Sequence, residues 1–289
     1  MKKILAVILC LFVFCSCSEV AENEGNKNIK IVATVFPAYD WISEITKNTE
    51  TEVLLIPSNG VDIHSYQPSA ADIVEISTSD LFVCSSGEEN AWYDDIKRNK
   101  TLDVSRKNSE GHIDVHSWLS VKNAIEICEE ICENLVAISP QNAETFEKNT
   151  DEYIKELEKL HSEYMSFSET VKGKTIVVAD RFPFRHMTDE YNIGYVAAFE
   201  GCSSESEISF DTVRKLSSKV TELKTEYVFV SEKSDRKIAD AVIRNLNNEN
   251  IKVKELNSMQ SVNKKEIENK LSYISVMRKN LEELKEVLN

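Results

Sequence analysis

Two histidines of this chain stand in the same short frame, Asp62-Ile63-His64-Ser65-Tyr66 and Asp114-Val115-His116-Ser117-Trp118. The chain has only five histidines, so a repeated Asp-x-His-x-aromatic pattern is informative. Taken singly, each imidazole reads as readily as a hydrogen-bonded loop residue. As a pair, they point to metal chemistry. Neutral imidazole and carboxylate are natural ligands for Zn²⁺, Mn²⁺ or Fe²⁺. Asp62 and Asp114, each two residues before its histidine, suit the role of orienting the ring or attracting the cation. A carboxylate from elsewhere is offered by Asp180, which ends the apolar run "VVAD". His186, six residues further on, is the competing donor.

Such ligands bind one ion only if separate elements bring them together. "KIVATVF" (30–36), "TEVLLIP" (51–57), "LFVCS" (81–85) and "TLDVS" (101–105) have the short β-branched character of buried strands, with amphipathic stretches around 38–48, 69–78 and 90–98 between them. The pattern recurs in "TIVVAD" (175–180), "YVAAFE" (195–200), "EYVFVSE" (226–232) and "IKVKELN" (251–257), with helices near 183–191, 209–224, 234–248 and 264–287. This predicts an α/β protein of two βα lobes with mainly parallel four-stranded sheets. Between them, residues 139–171 place Phe146, Tyr153, Leu157, Leu160, Tyr164 and Phe167 near helical spacing behind Pro140. A helix of that length runs about 45 Å, a rigid spine rather than a linker. His161 on it reads as a solvated face residue. In open parallel sheets ligands gather beyond the carboxyl ends of the strands. His64, His116 and Asp180 all follow strands, so all three are predicted at that edge.

The start of the chain reads as an export signal: basic Met1-Lys2-Lys3, the apolar "ILAVILCLFVF", then small residues at "CSCS". Cleavage before Cys17 resembles the processing of a bacterial lipoprotein, in which that cysteine carries the lipid; an ordinary secretory signal is the alternative. The expected organisation is therefore a signal at 1–16, a polar disordered tether at 17–28, an N-terminal lobe at 29–138, the connecting helix at 139–171 and a C-terminal lobe at 172–289. The body is expected to be soluble and monomeric. The formal charge of −15 disfavours nucleic acid and anionic lipid headgroups and favours small cations. Cys84, Cys128, Cys132 and Cys202 lack the spacing of a Cys-rich zinc module and are expected as buried thiols.

The segment "GVDIHSYQPSAAD" strongly resembles the Gly-x-Asp-x-His-x-Tyr-x-Pro-Ser block of the zinc and manganese solute-binding lipoproteins of ABC importers, the cluster A-I family. "DVHSWLS" resembles that family's Asp-x-His-x-Trp-Leu-Ser block, with Val121 where the family usually has Pro. "GCSSESEISF" and "YISVMRKNLEELKEVL" are similar to its Gly-x-Ser-x-Glu-x-Glu loop and its C-terminal helix. The resemblance runs from about Ile29 to the end. It implies two α/β lobes bridged by a long helix, one metal bound between them, and delivery to a membrane permease with its ATPase. It also implies a third ligand at Asp180, where the family commonly has His or Glu, with His186 as the alternative. The fourth position falls on Asn257, a weak amide donor, with Glu205 a candidate from the neighbouring loop and Glu207 more a structural residue.

The expected function is thus capture of a divalent transition metal, Zn²⁺ first and Mn²⁺ second, outside the cytoplasm by a lipid-anchored protein. Two readings from other classes compete with it, a secreted metal-dependent hydrolase and a surface adhesin lipoprotein. Against the hydrolase, the sequence has no His-Glu-x-x-His helix, no Gly-x-Ser-x-Gly elbow and no Gly-rich phosphate loop.

Overall fold

The computed structural model describes residues 28–61, 65–86, 93, 95–201 and 209–289. The export signal with Cys17, the frame residues Asp62 and His64, residues 90–92 and 94 of the expected helix at 90–98, and Cys202, Glu205 and Glu207 lie outside the described residues; residues 95–98 form turn and loop rather than helix.

The first lobe is built on β1 (Ile29–Ala33), β2 (Thr51–Leu55), β3 (Leu81–Cys84) and β4 (Thr101–Asp103), hydrogen-bonded in parallel in the order β2-β1-β3-β4. β3 is buried at every position, which a continuous apolar run requires of a strand covered on both faces. Helices α1 (Phe36–Ile45) and α2 (Ala70–Thr78) make two of the crossovers. The second lobe repeats the plan with β7 (Thr175–Phe182), β8 (Gly194–Glu200), β9 (Tyr227–Ser231) and β10 (Lys252–Leu256), again all parallel, in the order β10-β9-β7-β8. Its crossovers are α5 (Arg185–Glu190), α6 (Phe210–Leu223) and α7 (Lys237–Leu246). The fold is therefore α/β, with two βα lobes and parallel four-stranded sheets, as the patterning predicts.

One long helix joins the lobes. α3 (Val121–Ile138) packs along α4 (Ala143–Thr170), the long helix, whose 28 residues span about 42 Å. Phe146, Thr150, Tyr153, Leu157, Leu160, Tyr164 and Phe167 recur every three or four residues and are buried, while Glu and Lys occupy the other face. Pro140 opens a short 3₁₀ turn ahead of α4 rather than α4 itself. Cys128 and Cys132 lie one turn apart on α3, both buried thiols, and burial pushes both above the ordinary thiol range.

The sequence pattern differs from the structure in other places too. The expected helix at 264–287 is two, α8 (Lys264–Glu268) and α9 (Tyr273–Leu288): Lys270 takes a left-handed φ of 62° and Ser272 caps α9 in a capping box with Ser275. A small antiparallel ribbon, β5 (Arg106–Lys107) with β6 (Ile113–Asp114), precedes His116. Strands of two residues leave no readable alternation. His161 is not a solvated face residue. It is partly buried, with Nδ1 3.0 Å from Glu190 and 3.2 Å from the Tyr191 hydroxyl, because the C-terminal end of α5 reaches that part of α4.

The core does not stop at the lobe boundary. One apolar cluster runs from β1, α1 and α3 through α4 to α9 and the inner face of the second sheet, and a second fills the space beneath α6 and α7. α9 belongs to the second half of the sequence but packs on the first lobe: Tyr273 meets Trp41 edge-on at 5.1 Å, and both are fully buried. Side chains of this size each contribute roughly 1.5–3 kcal/mol when buried. Among the described residues no helix is long and apolar enough to cross a membrane.

Candidate metal centre

The His64 segment is held on both flanks. Downstream, Ser69 caps α2, and Asp72 three residues on completes the capping box. The same Asp72 carboxylate accepts the Tyr66 hydroxyl at 2.6 Å and the Ser69 backbone N–H at 2.7 Å. Burial raises the Asp72 pKa, but these donors outweigh it and hold the carboxyl below its usual range. Tyr66, whose phenol is pushed up by burial and by Asp72, is thus a fixture of the loop. Upstream, Asn59 bridges Asn263 and the Lys264 N–H donates to the Ser58 carbonyl at 2.8 Å, both reaching across to the second lobe. Gly60 sits in this crossing at φ +78°, where a Cβ would come within 3.2 Å of the Asn263 Cβ and 3.4 Å of the Ser261 carbonyl. Only glycine meets both demands without strain.

His116 is buried, 3% exposed, at the start of a 3₁₀ turn that follows β6. The Asp114 carboxylate accepts its backbone N–H at 2.9 Å and lies 2.8 Å from its Nδ1. The proton therefore belongs on Nδ1, and Nε2 carries the lone pair, the tautomer a metal requires. Burial pushes the Asp114 carboxyl up, but the bonds from His116 prevail and leave it below its usual range. The Trp118 ring closes one side of the imidazole, edge-on at 5.4 Å.

From the second lobe, Asp180 does not end its strand as its place after the apolar run suggests: β7 continues to Phe182, and Asp180 lies at the register shift with β8, between Val178 and Arg181. One oxygen accepts the Arg181 N–H at 2.8 Å and the other the Ser231 N–H at 3.3 Å, which fixes the half-buried carboxylate between the ends of β7 and β9. His186 lies on α5, which packs against the 3₁₀ turn of His116. Its Nδ1 is 3.4 Å from the Asn123 amide, and its Nε2 is buried with no hydrogen-bond partner among the described residues. Burial lowers its pKa, and the nearby Asp114 and His116 pull it in opposite directions. The structure thus brings His186 to the Asp114–His116 pair. Asn257 follows β10; its amide oxygen accepts the Met259 N–H at 2.8 Å and is committed to its own loop. Among the described residues no group of three or more His, Cys, Asp or Glu side chains is arranged to hold a metal; the expected donors His64 and Glu205 lie outside them.

One residue of this edge escaped the sequence reading. Glu232 directly follows β9, as Asn257 follows β10, and Asp180 lies near the end of β7. Its carboxylate accepts the Ser258 N–H at 2.8 Å, the Ser258 hydroxyl at 2.7 Å and the Gln260 N–H at 3.2 Å. Burial raises its pKa against these donors. The strand-end rule that selects Asp180 also selects Glu232, had it been applied to every strand of the second lobe.

An α/β molecule with two parallel sheets, a long bridging helix and His-Asp donors at the seam is the architecture of a family of extracytoplasmic metal-binding proteins. The structure superposes on the metal-dependent lipoprotein YcdH of Bacillus subtilis with a TM-score of 0.77 at 27% identity, covering 90% of this chain and 99% of that one. It superposes on the Zn(II)-bound ZnuA-like domain of Streptococcus pneumoniae AdcA with a TM-score of 0.76 at 28% identity, covering 90% and 99%. In sequence it is 29% identical to the zinc-binding lipoprotein AdcA of Streptococcus pneumoniae over 99% of this chain, and spans 61% of that protein's length. It is 27% identical to the high-affinity zinc uptake system protein ZnuA of Bacillus subtilis, over 93% of this chain and 90% of that protein. Residues 31–287 match the model of the ZnuA family, described as zinc-uptake complex component A, periplasmic, and the chain belongs to that family.

Proposed function

We propose that this protein captures one divalent transition metal outside the cytoplasm, zinc first and manganese second, in the seam between its lobes and delivers it to an ABC permease and its ATPase. His116 carries the reading: a buried imidazole whose tautomer Asp114 sets, facing the second lobe, in a chain of the zinc-uptake family. His64 and His116 are the first-lobe ligands and Asp180 the second-lobe ligand, with His186 the competing third donor and Glu205 and Asn257 the rivals for a fourth place. Asp62 and Asp114 orient the imidazoles. Two imidazoles and a carboxylate suit Zn²⁺ and Mn²⁺ alike, and the intrinsic order of affinities favours zinc. The functional units are residues 29–138, 139–171 and 172–289, tethered as a monomer through a lipid on Cys17 after removal of residues 1–16.

The metal here is cargo, so the reading is of a carrier and not an enzyme. The experiment is equilibrium dialysis with elemental analysis under zinc, manganese and iron competition. One ion per chain is expected, zinc in excess, and His64→Ala and His116→Ala each lower affinity at least a hundredfold. Asp180→Ala and His186→Ala then assign the third donor. Full-strength binding by the His116 variant would remove the reading.

A further inference from the structure

Trp118 makes a contact that its place in the first lobe does not require. Its indole N–H donates to the carbonyl of Ser258, 140 residues away, at 2.8 Å, and both residues are buried. A buried indole N–H needs an acceptor, and here the acceptor comes from the opposite lobe. The carbonyl points the right way only because the loop after β10 is bent sharply: Met259 is buried with φ at +64°, the left-handed region that a long side chain seldom occupies. Such a turn persists where its surroundings over-determine it. Glu232 does much of this, taking the Ser258 N–H and hydroxyl and the Gln260 N–H on one carboxylate. Asn280 takes the Asn257 N–H at 2.9 Å and returns its own amide to the Asn257 carbonyl at 2.8 Å. On the other side, the Tyr273 hydroxyl holds the Trp118 carbonyl at 2.7 Å.

The contacts form a continuous path: Glu232 to Ser258, Ser258 to the Trp118 indole, and the indole edge-on against the His116 ring at 5.4 Å with an interplanar angle of 69°. Asp114 fixes His116 through Nδ1 from within its own lobe; the indole packs on the same ring at 5.4 Å, itself held by the other lobe. We infer that Glu232 is a positioning residue for His116, holding the Ser258 carbonyl so that Trp118 keeps the imidazole in its metal-binding orientation. It touches no ion itself. The inference rests on the reading of His116 as a ligand, and it makes the orientation of that ligand a property of both lobes together.

The test uses Co²⁺ as a visible probe on the full chain, with Glu232→Gln, Trp118→Phe and the double variant. Glu232→Gln offers an NH₂ where a donor now points, and Trp118→Phe keeps an aromatic wall without the indole N–H. Each is expected to weaken Co²⁺ binding about tenfold and to change the Co²⁺ absorption envelope, with the far-ultraviolet circular dichroism unaltered. The double variant is expected to lose no more than the weaker-binding single, since both break one path. Ser258→Ala, which keeps the backbone groups, is expected to lose less than threefold. If Glu232→Gln does not fold, Glu232→Asp, too short to reach both Ser258 groups, is expected to show the same spectral change with a smaller loss. Wild-type affinity and spectrum in the Glu232 and Trp118 variants, or losses that multiply in the double variant, would overturn the inference while His116→Ala still abolishes binding. Retained binding by His116→Ala would instead remove the metal reading on which it stands.

Discussion

At the scale of single residues, His116 differs from the other described histidines in what surrounds it. Its ring is almost fully buried, and one carboxylate, Asp114, engages both its backbone N–H and its Nδ1. An acceptor on Nδ1 raises the basicity of Nε2 and fixes the ring plane, so the partner of the ligand matters nearly as much as the ligand. Asp114→Asn keeps an acceptor for the backbone but removes the charge behind the imidazole. It is expected to weaken zinc binding ten- to a hundredfold while the protein remains folded, read by competition with a chromophoric chelator and by circular dichroism. Unchanged affinity would mean that Asp114 serves only the turn. The Asp-x-His spacing made this pair legible in the sequence, because two residues separate a side chain from the backbone N–H that it can cap. The approach of His186 to the same pair was legible only as a candidate. It depends on α5 packing against the turn of His116, a contact between segments 70 residues apart that no local pattern records.

At the scale of elements, the junction of α1, α4 and α9 turns on one carboxylate. Asp40 on α1 is 8% exposed, and one of its oxygens accepts both the Tyr273 N–H of α9 at 3.0 Å and the Tyr153 hydroxyl of α4 at 3.2 Å. Burial is the dominant influence and raises its pKa to about 6; Tyr273 and Tyr153 oppose the rise, Glu44 adds to it and Lys47 subtracts. The folded value lies above the unfolded one, so the fold takes up a proton between about pH 4 and pH 6. Stability therefore rises as pH falls through 6, and above it the ionised group costs about 3 kcal/mol, the shift of roughly two units at 1.36 kcal/mol each. Asp40→Asn keeps an oxygen for both donors without the charge. It is expected to raise the melting temperature at pH 7.5 and to flatten the dependence of stability on pH between 4 and 6, measured by thermal denaturation across that range. A variant less stable than wild type at pH 7.5 would show that the charge itself is needed. The alternation of strands and helices was readable because periodicity is local. That α9, while packing on β10 of its own lobe, also reaches α1 of the first was not, since an apolar stripe does not say which core it meets; Tyr273 reaches across to Trp41 and Asp40.

At the scale of the whole molecule, the question is how far two lobes can move when they share so much. α4 crosses the boundary with α3 packed along it, α9 is buried against the first lobe through Tyr273, and Trp118 is bonded to Ser258 of the second. A second set of ties lies nearer the surface. The Ser109 hydroxyl meets Asp189 at 2.6 Å, Glu110 pairs with Arg185 at 2.6 Å, and Ser58 and Asn59 bridge to Asn263 and Lys264. Partly exposed ion pairs such as Glu110–Arg185 are worth little each and exchange easily, so the surface ties can yield. The buried ones yield only by exposing large aromatic side chains, at roughly 1.5–3 kcal/mol each. Large hinge rotation is therefore disfavoured, and under the proposed function metal entry is expected to use loop rearrangement with the lobes nearly fixed. Small-angle scattering with and without zinc is expected to show a radius of gyration, near 18 Å for the compact body, that changes by less than about 0.5 Å. Salt is expected to speed metal release, measured by chelator-triggered stopped flow, because the ties that must open are the screened ones. A compaction of several ångströms on binding would mean that the shared core separates after all, and with it would go the account of a seam whose ligands are positioned by both lobes at once.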